Sequence, residues 1–481
     1  MAMSLSQPID KTTTVDRKAL DPKTLDPRAL DPKARARAAM LDGPILRTLL
    51  KLALPTMSVL VAQTAVNVAE AYYVGFLGTD ALAGVALVFP IFMLMMTMSS
   101  GGLGSGVASS VARAIGAGRQ QDADALVLHA IVLAAITGTL FTLGLHWGGP
   151  VLFHALGGRQ AALDAAVAYS NTIFAGSIAV WIVNLLAAAL RGAGNVKLPA
   201  MVTLIGAVIL IPASPAFIFG FGPIPRFGIA GAGLAFALYY GGASLVMLRA
   251  LASGRTGLQL RLVPLQGRLF FDILKVGLPS AVNTVQTSLT AILVTGAVGL
   301  FGVSAIAGYG IASRLDYVLI PILFGLSSAV LTMVGINMGA GRVAHARRIA
   351  WISGLVGGGL TGAIGLFVAV FPLPWIHLFS HDPDVIGPAR IYMQSVAPVY
   401  GAFGLAFVLN FAAQGTGHVL WPFVANTSRL LVAAGLGWIA VTQFGAGMTA
   451  LALIVAASFV LQALIMGAAM MSPAVWRSTK G

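Results

Sequence analysis

Long apolar stretches, separated by short polar or glycine- and proline-rich breaks, fill most of the chain after residue 45. A helix needs roughly 20 mostly apolar residues to cross a bilayer, and by that measure the pattern predicts twelve membrane spans. The predicted spans are 46–76, 82–112, 122–146, 161–190, 196–220 and 228–250, then 269–300, 304–337, 344–371, 385–413, 418–442 and 447–471. Charged residues are only 9% of the chain, against about 25% in soluble domains. The pattern therefore predicts an all-α polytopic membrane protein.

The second six predicted spans repeat motifs of the first six. The matching segments are 50–55 with 274–279, 116–119 with 339–342, and 192–194 with 415–417, and the offset between the halves shortens by one residue after the first pair. With six spans in each half, both halves enter the membrane from the same side. We therefore expect two six-helix bundles related by a pseudo-two-fold axis along the membrane normal.

The first 44 residues differ from the rest of the chain. Segments 19–23, 24–28 and 29–33 are three copies of one Leu-Asp-Pro pentapeptide, and proline every five residues prevents a continuous helix. We expect residues 1–44 to form a disordered cytoplasmic tail. The remaining boundaries are then an N-terminal bundle at 45–252, a polar linker at 253–268, a C-terminal bundle at 269–472 and a C-terminus at 473–481.

The basic residues predict the orientation. The net charge is +14, and most lysines and arginines between spans fall on the side of the N-terminal tail. The other side carries only Arg159, Arg226 and Arg390. The positive-inside rule then places both termini in the cytoplasm of a cell whose plasma (inner) membrane the chain crosses. Because no basic run is interleaved with aromatic residues, we expect no nucleic-acid partner. We also expect the chain to act as a monomer.

Glu70 is the only glutamate in the sequence, and it lies in the outer half of the first predicted span. Gln63, Asn67 and Glu70 are spaced i, i+4 and i+7, and Tyr73 continues the same helical face. One interpretation is a polar seam that holds this helix to a neighbour. The other is a proton-coupling site, because a carboxyl group removed from water can load and release a proton near neutral pH. The equivalent positions of the second half hold no acid.

Three further ionisable residues lie well inside predicted spans, namely Arg314, Asp316 and Arg429. Arg314 and Asp316 point to different faces of the eighth span, and Arg429 is a possible partner for Asp316. A structural ion pair and a functional role are equally open for this set. The histidines are scattered, and no metal-ligand spacing, nucleotide-binding loop or nucleophile–base pair is visible inside the membrane. We therefore expect no enzyme activity, metal or cofactor, and transport driven by an ion gradient.

Several of these motifs resemble the multidrug and toxic compound extrusion (MATE) family. They are Leu54-Pro55, the first turn at 74–83, 116–119, 190–194 with Pro199, and 334–342. The resemblance covers about 45–470 and implies two bundles facing each other in a V, with export of organic cations by proton or sodium antiport. Glu70 stands where the family has a proposed coupling acid, usually aspartate. An Asn-x-x-x-Asp-Pro pattern frequent in the fifth span is here Leu210, Ser214 and Pro215, so the partners of Glu70 are altered.

The acid that the sodium-coupled branch carries in its seventh span is missing, and this favours the branch named for DNA-damage-inducible protein F. The leading hypothesis is export of amphipathic organic cations in exchange for protons. Phe89, Met93 and Met96 could supply non-specific contact with such substrates, or could be ordinary packing. The alternatives are a sodium-coupled exporter and a transporter of lipid-linked or polyanionic precursors. An intramembrane enzyme or a channel is less consistent with the sequence.

Overall fold

A computed structural model describes residues 32–477 of the chain. Within that range the structure is helical apart from one isolated β-bridge between Phe221 and Ile224. Eleven helices are long and apolar enough to cross a membrane. The pair Gln160–Ala175 and Ser177–Gly192, bent by 47°, makes a twelfth span. The prediction of an all-α polytopic membrane protein is confirmed.

The helices divide into a first half and a second half, with α1 (Pro32–Asp42) preceding both. The first half consists of α2 (Ile45–Gly75), α3 (Thr79–Thr97), α4 (Gly104–Gly116), α5 (Gln120–Ala155), α6 (Gln160–Ala175), α7 (Ser177–Gly192), α8 (Lys197–Phe219) and α9 (Ile229–Ala252). The second half consists of α10 (Gly267–Gly299), α11 (Val303–Gly339), α12 (Val343–Val370), α13 (Pro372–Ile376), α14 (Pro383–Val396), α15 (Tyr400–Thr416), α16 (Leu420–Leu430), α17 (Gly437–Phe444) and α18 (Met448–Met471).

The one-residue shortening between the repeats has a structural cause in the second span. The first half has 38 residues in Thr79–Gly116, whereas the second half has 37 in Val303–Gly339. The longer span is interrupted by a π-helical turn, Met98–Leu103, while α11 is continuous α-helix. A π-turn takes one residue more than an α-turn, so it absorbs the extra residue without breaking the helix.

The two halves meet through reciprocal hydrogen bonds at the end where α1 lies, which we call the α1 end. Ser109 of the first half donates to the carbonyl of Gln414 in the second (2.5 Å). Thr332 of the second half donates to the carbonyl of Arg191 in the first (3.0 Å). Ser109 and Thr332 occupy matching repeat positions, and so do Arg191 and Gln414. Such an exchange of equivalent contacts is the signature of a two-fold interface, here within one chain.

Glycines bring the two helices of this interface together. A methyl group built on Gly116 would overlap the backbone of Ile336, and one built on Gly339 would overlap the backbone of Arg113. The two contacts are again related by the repeat. On the axis between them, a methyl group on Gly335 would lie 2.8 Å from the Cβ atom of Ala112. The absence of side chains therefore allows the backbones of α4 and α11 to touch.

At the opposite end the corresponding surfaces are free. Phe76 and Val303, which flank the first turn of each half, are 65% and 84% exposed. Gly78 and Gly302 in the same turns both adopt positive φ angles, +109° and +103°, and a methyl group built on either would meet nothing within 4 Å. The halves are thus joined at the α1 end, and at the other end the first turn of each half is exposed.

Helix α1 corrects part of the predicted tail. Residues 32–42 form a helix that begins at Pro32, where a missing N–H group costs nothing. The proline repeat ends at that point, and the alanine- and arginine-rich stretch after it favours a helix. Met40 and Leu41 are buried, so the expectation of disorder was wrong for these residues. Residues 1–31 and 478–481, which include the rest of the tail and the last residues of the C-terminus, lie outside the described range.

Contacts with both halves hold α1 in place. Arg37 donates to the carbonyl of Gly116 in the first half (2.8 Å). Asn337 of the second half donates to the carbonyl of Met40 (3.1 Å). Arg342, also of the second half, donates to the carbonyl of Leu41 (3.1 Å) and pairs with the carboxylate of Asp42 (2.5 Å). Since α1 touches both sides of the α1 end, it must move when that end opens.

The lack of native cysteine allows this docking to be tested by labelling. In a Met40→Cys protein, we expect slow thiol modification, because Met40 is only 4% exposed. Adding Arg342→Ala removes two hydrogen bonds to α1, each worth about 1 kcal/mol, and should raise the labelling rate by about 30-fold. Ala39→Cys is the matched control, since Ala39 is exposed and should react quickly in both backgrounds. Equal labelling of Met40→Cys with and without Arg342 would contradict the docking.

The 253–268 linker is fixed to the first half. The backbone N–H of Gln259 donates to Asp124 (3.0 Å), and that of Gln266 donates to Nε2 of His129 (2.9 Å). Arg268, the first charged residue of α10, pairs with Asp122 (2.9 Å). Because all three partners lie in the first three turns of α5, we expect the linker to follow the first half when the halves move.

Candidate functional site

The Glu70 carboxyl group points into the first half, between α2 and α8. The hydroxyl of Ser214 donates a hydrogen bond to Oε1 of Glu70 (2.9 Å). Ser214 lies between Pro212 and Pro215, whose missing N–H groups interrupt the backbone bonding of α8 at this depth. Tyr169 of α6 is close enough to interact electrostatically with Glu70. The residue that stands where the resemblance expects an aspartate is therefore a direct partner of the acid, through a hydroxyl group.

The rest of the predicted polar face has separate partners. Gln63, two turns along α2 from Glu70, is hydrogen-bonded to Tyr240 of α9. Asn67 is half-buried, and its side chain forms no hydrogen bond with another residue in the described range. Tyr73 is also half-buried, and its ring makes an edge contact with Tyr72 (6.0 Å between centroids). The four residues share one face, but the structure does not gather them into one cluster.

Polar groups continue inward from Gln63 to the π-turn of the second span. The Tyr240 hydroxyl lies 3.9 Å from the sulfur of Met96. Asn184 of α7 donates to the hydroxyl of Ser99 (2.8 Å), which lies in the π-turn and is fully buried. The sulfur of Met96 is also 4.0 Å from the amide of Asn184. A chain of polar side chains thus runs through the interior of the first half.

The three residues proposed as a contact surface have different environments. Phe89 is 45% exposed, whereas Met93 and Met96 are partly buried against the core of the first half. Met96 is also a neighbour of Asn184 and Tyr240, as described above. Only Phe89 therefore offers its surface to a partner outside the bundle, and the two methionines pack.

In the second half, Asp316 lies inside the bundle among tyrosines. The hydroxyl of Tyr400, at the start of α15, is a hydrogen-bond partner of the Asp316 carboxyl group. Tyr392 of α14 lies close enough to interact with the charge of Asp316, and it is hydrogen-bonded to Tyr309 of α11. The rings of Tyr309 and Tyr392 are perpendicular, with centroids 4.9 Å apart. We call these four residues together with Arg429 the second-half cluster.

Arg429 is the charged partner of Asp316, but the two are not in contact. They interact electrostatically, and among residues 32–477 no ion pair within 4 Å involves Asp316. The guanidinium carbon of Arg429 lies 4.4 Å from the ring centroid of Phe459 and 6.0 Å from that of Phe403. Arg314 is exposed and stacks over Phe379 instead, 4.7 Å from its centroid. Arg314 therefore does not belong to the cluster.

Charges also gather at the α1 end. Arg113 is buried and donates to the hydroxyls of Ser109 and Ser110. Lys275 pairs with Asp272 (2.6 Å) at the start of α10. His418, in the loop before α16, is half-buried. Burial lowers the pKa of the His418 imidazole, and the nearby charges of Arg113 and Lys275 lower it further. We therefore expect His418 to stay neutral at physiological pH.

Sequence reasoning missed the tyrosines beside the two acids and the polar residues that continue inward from Gln63. Tyr169, Tyr240 and Asn184 are single polar residues in apolar helices, and nothing in their spacing marks them. One signal was available, because Tyr169 and Tyr392 occupy the same position in the two repeats. Each of them lies beside the half-buried acid of its own half.

Two packed bundles of membrane helices, duplicated within one chain and each enclosing an acid, form the architecture of a secondary transporter. The family model described as MatE matches residues 55–216 and 279–439. The two matched segments are offset from each other like the repeated motifs, so the model has matched each half separately. The chain belongs to the MATE family and is a multi-pass membrane transporter.

Curated relatives of similar length share about a quarter of their residues with this chain. The FAD transporter of Shewanella oneidensis is 26% identical over 413 residues, which are 82% of this chain and 88% of that protein. The probable multidrug resistance protein NorM of Thermotoga maritima is 28% identical over 400 residues, 81% and 85% of the two chains. The named substrates of these relatives already differ, so the family alone does not fix the substrate.

Solved structures agree on the fold. A multidrug resistance MATE family transporter of the MOP superfamily, described in an outward-facing conformation, has a TM-score of 0.83 at 23% identity. The match covers 92% of this chain and 99% of that one. A MOP superfamily transporter from Pyrococcus furiosus, described as having a binding pocket of reverse polarity, has a TM-score of 0.82 at 23% identity, over 90% and 97% of the two chains.

Proposed function

We propose that this protein exports amphipathic organic cations in exchange for protons, with Glu70 as the proton-carrying group. The observation that carries the proposal is the pairing of the only glutamate with the hydroxyl of Ser214, inside an apolar bundle. A hydroxyl can donate to a carboxylate and can accept from a protonated carboxyl group. The site can therefore hold Glu70 in either state, which a proton carrier requires.

The orientation follows from the basic residues. Arg113, Arg191, Arg342 and the linker arginines lie at the α1 end, so we place this end and both termini in the cytoplasm of a bacterial cell. In the conformation described here the halves are joined at the end that we place on the cytoplasmic side, and the first turns of both halves are exposed at the other end. Protons arriving from outside then reach the half of the membrane in which Glu70 lies.

Proton coupling is favoured over sodium coupling by the surroundings of Glu70. A hard cation such as sodium needs a shell of several oxygen ligands. Within the described residues, the hydroxyl of Ser214 is the one group hydrogen-bonded to the Glu70 carboxyl. A single proton needs no such shell. Sodium coupling is the alternative that the experiment below separates.

The arginines do not favour a polyanionic substrate. A transporter of lipid-linked precursors, or of FAD as in the Shewanella relative, needs positive charge in its cavity to balance phosphates. Arg314 is stacked over Phe379, and Arg429 is enclosed by Phe403 and Phe459. Both guanidinium groups therefore lie against aromatic rings, and within residues 32–477 neither is grouped with a second cationic side chain that would bind a phosphate. FAD nevertheless belongs among the test substrates, because the relative bears that name.

Transport by the purified protein in proteoliposomes tests the proposal. A proton gradient and a sodium gradient are imposed separately, with a fluorescent monovalent organic cation or FAD as the substrate. We expect the proton gradient to drive transport of the organic cation, and we expect the sodium gradient alone to have no effect. Cation transport driven only by sodium, or FAD transport without cation transport, would replace this proposal with the corresponding alternative.

A further inference from the structure

We propose that Asp316 is a second proton-carrying group, so that each half of the transporter holds one titrating acid and each cycle moves two protons. The inference rests on the proposed function, because it assumes that protons drive transport. It assigns a role to a carboxyl group that the duplication alone would not suggest, since Asp316 lies in the second span of its half whereas Glu70 lies in the first span of its own.

The two acids occupy comparable places despite their different helices. Tyr169 and Tyr392 are repeat-related, on α6 and α14, and each interacts with the acid of its own half. In the first half the acid comes from α2, and the position that matches Asp316 is Phe92. In the second half the acid comes from α11, and the position that matches Glu70 is Val294. The two halves therefore carry their acid on different helices, but in each half the acid interacts with the tyrosine at the same repeat position.

The environment of Asp316 suits a group that gains and loses a proton. Oδ1 of Asp316 is buried and has no hydrogen-bond partner, which is costly for a permanently ionised carboxylate. The partner of the group is the hydroxyl of Tyr400, and a tyrosine hydroxyl can donate to the ionised form or accept from the protonated form. A purely structural ion pair would instead satisfy both carboxylate oxygens.

Arg429 can tolerate both states of Asp316. When Asp316 is ionised, the guanidinium group stabilises the carboxylate electrostatically, without locking it in a contact pair. When Asp316 is protonated, the guanidinium group keeps its position over the ring of Phe459 through a cation–π interaction. The titratable and charged groups that interact with Asp316 are Tyr392, Tyr400 and Arg429, and Tyr309 of the same helix as Asp316 is hydrogen-bonded to Tyr392. α18 contributes the apolar Phe459.

The number of protons has an electrical consequence. If two protons enter for each monovalent cation that leaves, one net positive charge moves inward in every cycle. A membrane potential that is negative inside then drives export even when the pH is equal on both sides. If only Glu70 carries a proton, the exchange is one for one and a potential alone drives nothing. The two cases therefore differ in whether a membrane potential alone can drive export, and not only in rate.

The experiment measures transport of ethidium, a permanently monovalent cation, by the full-length protein in proteoliposomes. A potassium diffusion potential set with valinomycin and a pH gradient are applied separately, and the reversal condition gives the number of protons per ethidium. For the unaltered protein we expect transport driven by the potential alone, and a ratio of two. For the double variant Asp316→Asn with Arg429→Gln, which removes both charges together, we expect pH-driven transport with a ratio of one and no response to the potential.

The outcomes separate the two proposals. A ratio of one in the unaltered protein overturns this inference, whatever the variant does, while pH-driven transport preserves the proposed function. An unchanged ratio of two in the double variant would show that Asp316 is structural. No proton-driven transport in any arm would remove the proposed function itself. If the double variant folds poorly, the single variant Asp316→Asn, which keeps Arg429 over the ring of Phe459, provides the same test with the same expected ratio of one.

Discussion

Glu70→Gln is expected to lower proton-driven export by about 100-fold, the scale on which a positioned proton-transfer group acts. Glutamine has nearly the same shape, and its amide oxygen can still accept the hydrogen bond from Ser214. The fold and the packing of α2 against α8 should therefore survive, and substrate binding should fall less than transport. Only the ability to exchange a proton is removed. The rate of ethidium export under an imposed pH gradient measures the effect.

A conservative variant and a control variant test whether this effect is specific to the carboxyl group of Glu70. Glu70→Asp remains ionisable but is one methylene shorter, so it should lose the bond to Ser214 and keep partial activity. Asp80→Asn is the matched control, because Asp80 is another acid of the first half that lies exposed at the start of α3. We expect the control to export at the normal rate. Normal pH-driven export by Glu70→Gln would reject the assignment and direct attention to Asp316.

The second large effect is expected at the α1 end. In Gly116→Ala combined with Gly339→Ala, each added methyl group overlaps the backbone of the facing half. Overpacking of this kind typically costs about 1–3 kcal/mol for each site. Both costs fall only on the conformation in which the halves are joined at the α1 end. A total of about 2–6 kcal/mol would shift the equilibrium toward conformations open at this end by more than about ten-fold.

Cysteine accessibility reports that shift. The reporter is Thr332→Cys, placed in every protein compared, because Thr332 is 2% exposed at the interface. We expect its thiol to react at least about ten times faster in the double glycine variant than in the parent. Gly359→Ala is the control, since a methyl group built on Gly359, in the middle of α12, would meet nothing within 4 Å. Slow labelling of Thr332→Cys in the glycine variant would show that the halves tolerate the methyl groups without separating.

The spans could be predicted closely from the sequence. The first was expected at 46–76 and is found at Ile45–Gly75, and the eighth was expected at 304–337 and is found at Val303–Gly339. Length and apolar character define a membrane span almost completely, because every backbone group must be paired within the helix. For the same reason the depth of Glu70 and the face of α2 on which it lies could be derived without a structure.

The partners of the acids could not be derived in the same way. Helical periodicity tells which side of α2 bears Glu70, but not that α8 presents Ser214 to it. The sequence suggested Asp316 and Arg429 as a pair, but not the tyrosines that interact with them. The docking of α1 depends on backbone carbonyls that accept hydrogen bonds from Asn337 and Arg342. Because every residue has a backbone carbonyl, the residue type does not indicate which of them will accept. Such contacts depend on tertiary packing.

The reciprocal bonds of Ser109 and Thr332 bear on the ancestry of this chain. Before the gene duplicated and fused, the same interface would have joined two identical six-helix subunits with parallel orientation, and each bond would have been made twice by one residue type. In such a homodimer both halves must carry their acid on the same helix. The difference between Glu70 and Asp316 would then have arisen after the duplication, when the two copies became free to diverge. The placement of the acid on α2 in one half and on α11 in the other is the result of that divergence.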